Sequence, residues 1–206
     1  MKEELLKLEH LSIDYKVKGG YLSAVHDVNL SVNKGEIFAV VGESGCGKST
    51  VAHSIMALLP GGNEHIEGKI LFNGQDLRTL SKKDMEKIRG RHIGMIFQNP
   101  LDSLNPVYKT GSQVQEGILL DGIGKAEAWQ KVIELYKDVK MPDAEERAHS
   151  FPHEMSGGMR QRVMIAMMLA RNPALLIADE PTTALDVIIE AQILEIIKDL
   201  KKTYNT

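Results

Sequence analysis

The sequence contains one cysteine, no long apolar run and little net charge. Because Cys46 has no partner within the chain, the sequence excludes an internal disulfide framework and is consistent with a reducing cytoplasm. No uninterrupted apolar stretch reaches the roughly 18–20 residues that span a bilayer. The residues from Met1 to Glu4 are charged and lack the apolar core of a secretory signal. A net charge of −3 provides no overall attraction to nucleic acid or to anionic lipid.

Length and composition predict one globular domain. A chain of 206 residues can bury one sizeable core with, at most, a smaller subdomain. Apolar residues make up 43% of the sequence and charged residues 26%, which is ordinary for a soluble globular protein. We find no internal repeat and no low-complexity segment.

The most informative segment is a glycine-rich loop that matches the phosphate-binding pattern G-x-x-x-x-G-K-[ST]. An apolar run at 37–41 predicts a buried parallel strand before the loop, and an amphipathic segment at 48–59 predicts a helix after it. This strand–loop–helix context predicts a nucleoside triphosphate site, whereas a chance glycine-rich turn would not require these flanks. The predicted nucleotide-binding residues in this loop are Gly42, Glu43, Ser44, Gly45, Cys46, Gly47, Lys48, Ser49 and Thr50.

Each part of the loop has a chemical role in binding a triphosphate. Glycines let backbone N–H groups turn toward phosphate oxygens, and the helix N-terminus adds the positive end of its dipole. Lys48 supplies a point charge for the β- and γ-phosphates, and the Ser49 hydroxyl supplies a ligand for Mg²⁺. Cys46 fits as a small loop residue, and we do not expect a catalytic thiol there.

The rest of the chain alternates between strand-like and helical patterns. Alternating apolar residues predict half-exposed antiparallel strands over 6–17, with a slip at His10, and over 28–32. A strand at 69–72 enters a tight Asn73-Gly74 turn, and further strands are predicted at 93–97 and 174–178. Helical periodicity covers 113–120, 127–139 and 159–171. The last helix has an apolar face, which consists of Ile189, Ile193, Ile196, Ile197 and Leu200.

Two carboxylates, Asp179 and Glu180, follow the predicted strand at 174–178. Since ligands gather at the carboxyl ends of parallel strands, this end is expected to face the phosphate loop. Asp179 suits a contact to Mg²⁺, and Glu180 suits polarisation of the attacking water. A solvated acidic turn before Pro181 is the alternative interpretation.

A second anion site is predicted where Ser156, Gly157 and Gly158 open a helix. Ser156 is a good N-cap, and the glycines leave backbone donors uncovered. Two anion sites in one chain suggest a ligand clamped between two copies, although a plain capped helix remains open as an alternative. The methionines of this helix, Met164, Met167 and Met168, are expected to pack in the core.

Five motifs of the chain occur in the order and spacing of a known family. They are the loop at 42–50, Gln98, the turn at 156–159, the Asp179-Glu180 pair and the segment 184–186. The chain resembles, over essentially its whole length, the ATP-binding subunit of an ABC transporter. The segments 96–106 and 151–162 are similar to the oligopeptide/dipeptide importer branch, which also includes nickel uptake systems. The resemblance implies an α/β fold of the P-loop NTPase type, with a mostly parallel sheet core, an antiparallel β subdomain and a helical insertion.

The resemblance also implies roles for individual residues. Gln98 would belong to the Q-loop, as a catalytic residue and a Mg²⁺ ligand beside Ser49 and Asp179, and Glu180 would be the catalytic base. A signature loop would contact the ATP of the opposing subunit, through Ser156, Gly157, Gly158 and Met159. A D-loop would consist of Ala184, Leu185 and Asp186. Tyr15 is the candidate for stacking on adenine, with an ordinary strand aromatic as the alternative.

The chain departs from the family pattern in two places. Met159 stands where many ABC proteins carry Gln, which is common in this branch. The sequence ends at Thr206, before the strand and the switch histidine that the resemblance implies. We therefore expect one nucleotide-binding domain that is incomplete at its C-terminus, with a core at 1–98 and 172–206 and a helical subdomain at about 99–171. Its ATP turnover is expected to be weak or absent.

The function that the resemblance implies is an ATP-hydrolysing subunit, dependent on Mg²⁺, that powers import of peptides or a related small solute. Its partners would be a second ATPase subunit, identical or paralogous, a membrane permease and, indirectly, an extracytoplasmic solute-binding protein, at the cytoplasmic face of the membrane. The alternative is a non-transport ABC ATPase, a DNA-repair or translation-associated clamp. Those typically carry insertions that are absent here, and the net acidity opposes a nucleic-acid partner. The transported solute and the choice of homodimer or heterodimer stay open.

Overall fold

The computed structural model describes residues 3–98, 103–182 and 186–206, and these form two compact units, 1–89 and 90–206. The first unit is built on an antiparallel sheet, and the second combines helices with a parallel strand pair. The α/β class, with antiparallel and parallel sheets, is as predicted. The proposed division into a core at 1–98 and 172–206 with an insertion at 99–171 remains a prediction.

The sheet of the first unit has four strands in the order β2-β1-β3-β4. These are β1 (Glu4–Val17), β2 (Gly20–Asn33), β3 (Glu64–Phe72) and β4 (Gln75–Asp76). One face of the sheet is buried, as the alternating pattern predicts, through side chains that include Leu6, Leu8, Leu11, Ile13 and Ile70. The predicted half-exposed antiparallel strands are therefore confirmed.

Two local irregularities of this sheet follow from the sequence. The register of β1 against β2 shifts between Leu8 and Leu11, and His10 between them has a φ of 51°. This bulge is the slip seen in the alternation of apolar residues. At the other end of β3, Asn73 and Gly74 have φ values of 49° and 78° and join β3 to β4 in a two-residue hairpin turn.

Two helices complete the first unit, α1 (Lys48–Ile55) and α2 (Lys82–Ile88). A short 3₁₀ turn, Leu77–Thr79, lies between the sheet and α2. The helix α1 begins directly after the glycine-rich loop, as predicted, and lies against β2. Ser81 caps α2 by accepting a hydrogen bond from the Asp84 amide, at 3.2 Å.

The predicted buried strand at 37–41 is wrong. The segment has irregular backbone, and its apolar side chains are exposed, Val41 to 91%. An apolar run forms a strand only where a neighbouring strand supplies ladder hydrogen bonds, and the strand pairs found in the described residues include none with this segment. Apolar composition alone therefore did not decide its structure.

The second unit contains five helices within its described residues. These are α3 (Thr110–Leu119), α4 (Lys125–Asp138), α5 (Ala144–Ala148), α6 (Gly157–Leu169) and α7 (Val187–Tyr204). One buried apolar cluster joins them, and it includes Val114, Tyr136, Met164, Ile193 and Ile196. Met164 lies in this core and Met167 and Met168 pack against it, as predicted.

Two parallel strands, β5 (Ile93–Ile96) and β6 (Leu175–Ala178), pair in register from Ile93↔Leu175 to Ile96↔Ala178. All of β5 is buried, whereas β6 is only half-buried, because β5 is the one strand paired with it among the described residues. Gln98 follows β5, and Asp179 and Glu180 follow β6, at the same end of this parallel pair. In the portion of the chain that the structure describes, none of the helices has the length and apolar character to cross a membrane.

Candidate nucleotide site

The glycine-rich loop curls around its own lysine. Lys48 Nζ donates hydrogen bonds to the carbonyl oxygens of Gly42 and Glu43, at 2.8 and 2.7 Å. Cys46 Sγ lies 3.8 Å from the same ammonium group. Because the ammonium bonds the beginning of the loop from the first residue of α1, the loop is closed into a ring around one positive charge.

One glycine of the loop occupies a position that a side chain could not. Gly47, which caps α1, has a φ of 94°, and a Cβ there would lie 2.4 Å from the Ala24 carbonyl oxygen on β2. A Cβ on Gly42 would lie 2.6 Å from Cys46 Sγ, which is the end of a side chain that can rotate. The close backbone approach at Gly47 explains why the pattern requires glycine directly before Lys48.

Exposure and backbone donors of the loop suit an anionic ligand. Residues 42–46 are exposed, and Gly47 to Thr50 are half-buried at the beginning of α1. α1 has no side-chain cap and no acidic residue in its first turn, so its first amides and its dipole carry uncompensated positive charge. This arrangement binds phosphate well.

Tyr15, the proposed adenine-stacking residue, lies near the end of β1 opposite Leu22 of β2 and Glu64 of β3. Its side chain is half-buried, so part of the ring is available for contact. The stacking role stays a prediction.

In the second unit, the structure brings Gln98 and Glu180 together. Gln98 follows β5 and Glu180 follows β6, and Gln98 Nε2 donates a hydrogen bond to Glu180 Oε2 at 2.8 Å. The parallel register explains this contact, since the Asp179 amide still donates to the Ile96 carbonyl oxygen at 3.0 Å, just beyond the last strand pair. Residues 82 positions apart in sequence thus share one site.

The two carboxylates after β6 differ in environment. Asp179 is only 8% exposed, while Glu180 is exposed. Glu180 has a φ of 46°, in the left-handed region that non-glycine residues seldom adopt. Strained backbone of this kind persists only where the surrounding contacts hold it, and it concentrates at functional sites.

The predicted signature turn is a capped helix beginning. Ser156 Oγ accepts a hydrogen bond from the Met159 amide at 3.3 Å, and α6 follows. Gly158 is buried, and a Cβ there would lie 2.8 Å from Ile189 Cγ2 of α7. The glycine therefore lets the first turns of α6 and α7 approach closely, while Ser156 stays exposed.

Of the predicted D-loop, Ala184 and Leu185 lie outside the described residues. Asp186 caps α7 by accepting from the amides of Ile188 and Ile189, at 3.1 and 3.0 Å. An N-cap aspartate fixes where this helix begins and contributes negative charge at the positive end of its dipole.

Each unit supplies oxygen donors of the kind that Mg²⁺ binds. Mg²⁺ prefers hard oxygen ligands and usually retains waters and substrate phosphates in its shell. In the first unit, Ser49 supplies a hydroxyl, and in the second unit, Asp179 and Gln98 supply a carboxylate and an amide oxygen. No cluster of three or more acidic, histidine or cysteine side chains suited to a metal occurs within 3–98, 103–182 and 186–206. The donors of either unit would therefore depend on phosphate oxygens and water to complete the shell.

Three polar side chains that sequence reasoning missed hold these elements in place. Arg89, which directly follows α2, donates to the Met56 and Ala57 carbonyl oxygens after α1, each at 2.7 Å. Gln161 and Arg162 of α6 are 1% and 8% exposed and bond backbone carbonyls of other elements. No local pattern marks them, because their partners lie 20 or more positions away.

Burial also affects the pKa of Arg162. Its guanidinium donates to the carbonyl oxygens of Val139 and Lys140, both at 2.8 Å, and to Gln192 Oε1 at 2.9 Å. Desolvation by burial lowers the pKa of this guanidinium. The three bonds join α6 to the end of α4 and to α7, so the helix that carries the signature turn is fixed from two sides.

Comparison with known proteins confirms the family resemblance that was inferred from the sequence. A family model described as "ABC transporter" matches residues 25–183. The oligopeptide transport ATP-binding protein OppD of Bacillus subtilis (strain 168) is 52% identical over 204 residues, which is 98% of this chain and 57% of that protein. OppD of Escherichia coli (strain K12) is 45% identical over 205 residues, 99% of this chain and 60% of that protein. The chain thus spans about 57–60% of the length of these relatives.

Solved structures resemble the fold as well. A dimeric structure of the ATP-binding cassette MJ0796, in a post-hydrolysis state bound to ADP and Pi, matches with a TM-score of 0.83 at 29% identity. The match covers 97% of this chain and 84% of that one.

Proposed function

The chain belongs to the ABC transporter family, and from this premise we propose that it is an ATP-binding and ATP-hydrolysing subunit that powers import of peptides or a related small solute. The observation that carries the proposal is the loop closed around Lys48 at the uncapped beginning of α1. The peptide branch is supported by the names of relatives at 45–52% identity. We found no observation that favours the non-transport clamp.

In the first unit, the proposed role is to hold the triphosphate. The loop amides and the N-terminus of α1 bind phosphate oxygens. Lys48 gives up part of its hydrogen bonding to the Gly42 and Glu43 carbonyl oxygens and binds the β- and γ-phosphates instead. The Ser49 hydroxyl is a proposed ligand of Mg²⁺, which when bound neutralises charge on those phosphates. Tyr15 is the proposed partner of the adenine ring.

In the second unit, the proposed role is to direct water. Glu180 accepts a proton from the water that attacks the γ-phosphorus, and Gln98, already bonded to Glu180, orients that water. Asp179 and Gln98 are the proposed Mg²⁺ ligands of this unit. Phosphoryl transfer requires positioning and charge stabilisation more than covalent chemistry, and these groups supply both.

Two copies are proposed to act together. The turn at 156–159, of which Ser156 is exposed, offers backbone donors to the γ-phosphate held by Lys48 of the other copy. Whether the second copy is identical or a paralogue is left open. The dimeric structure of MJ0796, which is a property of that protein, supports the pairing.

The proposed partner in the membrane is a permease, with the chain bound peripherally at the cytoplasmic face. A tip beside α3 exposes Val107 to 70% and Tyr108 to 59%. Gln113 holds this tip by accepting from the Asn105 amide, at 2.8 Å, and by donating to the carbonyl oxygens of Asn105 and Tyr108, both at 3.0 Å. A rigid apolar tip after the Q-loop suits contact with a permease segment, and a solute-binding protein would act on the permease from the other side.

The test is ATP-driven uptake in vesicles. The full-length gene product is reconstituted with the permease encoded beside it, and uptake of radiolabelled oligopeptides, dipeptides and Ni²⁺ is measured with and without ATP. The proposal predicts ATP-dependent uptake of one of these solutes. ATP hydrolysis without any uptake, together with retention by nucleic acid or ribosomes, would contradict it.

A further inference from the structure

One buried amide connects the signature helix to the residue after the proposed base. Gln161 lies in the second turn of α6 and is 1% exposed. Its Nε2 donates to the carbonyl oxygen of Pro181 at 2.6 Å, and Pro181 directly follows Glu180. A buried amide is retained at low cost only when it is hydrogen-bonded, so this contact is a fixed part of the fold.

The backbone at Glu180 requires such support. Its φ of 46° is unfavourable for a residue with a side chain, and a residue that precedes proline is driven toward extended conformations. Upstream, the Asp179 amide is bonded to Ile96 of β5. Downstream, the Gln161 amide holds the Pro181 carbonyl group. These two bonds fix the chain on either side of Glu180 and thereby set the direction of its side chain.

The same helix carries the turn that is proposed to meet the other copy's nucleotide. Ser156 caps α6, Gly158 packs against Ile189, and Gln161 follows within one helical turn of Gly158. Since a helix of this length moves as a rigid element, a displacement at its N-terminus also displaces Gln161.

We propose that Gln161 is a positioning residue for ATP hydrolysis, which places the Glu180 carboxylate according to the position of the signature helix. Contact of α6 with a phosphate held by the second copy would then align Glu180 in its own copy. This inference rests on the proposed function, since it takes Glu180 as the base. Gln161 itself touches no reacting atom in this scheme.

The test compares Q161M with Q115M in the full-length gene product. Each substitution replaces a glutamine with a methionine of similar size, and the Gln115 amide, like that of Gln161, donates to a backbone carbonyl oxygen, that of Lys125 at 2.8 Å. We expect Q161M to lower kcat for ATP by about 10–100-fold, the scale of a misplaced catalytic group, while KM changes less than about twofold. Q115M should leave kcat within about twofold of the wild type.

Hydrogen exchange provides a readout that does not depend on turnover. The amides of Glu180 and Thr182 should exchange faster in Q161M than in Q115M, and Q161E, which keeps the side-chain shape but loses the donor amide, should behave as Q161M does. Unchanged exchange and kcat in Q161M would contradict the proposal, as would equal effects in Q115M. Unfolding of both Gln161 variants would also contradict it, since the residue would then serve the core alone. If the wild type does not hydrolyse ATP, the proposed function is contradicted. The hydrogen-exchange result would still test whether Gln161 holds the backbone around Glu180 in place.

Discussion

The proposed functional residues of the two units are held in place in different ways. In the unit 1–89, the proposed phosphate-binding groups lie within nine consecutive residues and are held by backbone, through glycines and the beginning of a helix. In the unit 90–206, the proposed catalytic groups come from two separate segments and are joined by the side-chain hydrogen bond from Gln98 to Glu180, while Gln161 from a third segment holds Pro181. A local motif can encode the first arrangement. The second exists only after folding, so single substitutions there should affect turnover more than nucleotide binding.

The largest effect is expected from E180Q. The substituted amide retains an oxygen that can accept from Gln98, so the local structure should persist while the proton acceptor is lost. Steady-state ATP turnover should fall by about 10²–10⁴-fold with nearly unchanged ATP affinity. The matched control is E190Q, which alters a carboxylate bonded to Thr182 at 3.0 Å and should change turnover by no more than about twofold. Equal turnover in E180Q and the wild type would show that Glu180 is not the catalytic base.

A smaller effect is expected from Q98A. It removes the amide that contacts Glu180, so water and carboxylate are less well oriented. Transport in reconstituted vesicles should fall by about tenfold, and ATP affinity should change less. Q115A serves as the control, because Gln115 lies in α3 and donates to the Lys125 carbonyl oxygen at 2.8 Å. If Q98A transports as well as Q115A, the proposed role of Gln98 in orienting the water is wrong.

The close approach of α6 and α7 can be tested through stability. G158A introduces a Cβ at 2.8 Å from Ile189 Cγ2, which should lower the free energy of unfolding by about 1–3 kcal/mol. In contrast, G117A places its Cβ at 3.7 Å from Ala170 Cβ inside α3, where alanine should stabilise by about 0.5–1 kcal/mol. Denaturant unfolding followed by the fluorescence of the one tryptophan, Trp129, measures both changes. A neutral G158A would show that the contact is looser than described.

The smallest effect concerns an ion pair far from the proposed chemistry. Arg171 bonds Asp121 Oδ1 at 2.6 Å through Nη2, and this hydrogen bond holds the pKa of Asp121 below its usual range. Because the folded-state pKa is lowered, the pair contributes stability above about pH 4 and loses it as the pH falls through the folded-state pKa. D121N should therefore cost about 0.5–1 kcal/mol at pH 7, after allowance for solvent screening, and less at pH 2. A cost that is equal at both values would exclude the ion pair as its cause.

The sequence predicted those parts of the structure that depend on neighbouring residues. The bulge at His10, the Asn73-Gly74 hairpin turn and the buried face of the last helix follow from periodicity and turn chemistry. The strand predicted at 37–41 failed, because strand formation depends on a partner that no local pattern reveals. Gln161 was missed for the same reason, since its partner Pro181 is 20 residues away.

The most direct test of the account is calorimetric titration of Mg-ATP into K48A and E180Q, each compared with the wild type. K48A removes the ammonium group around which the loop closes, and charge-assisted bonds of this kind contribute roughly 1.5–3 kcal/mol each. We expect K48A to bind ATP at least about tenfold more weakly and E180Q to bind it with near-normal affinity. Near-normal binding by K48A would contradict the assignment of nucleotide binding to the loop at 42–50.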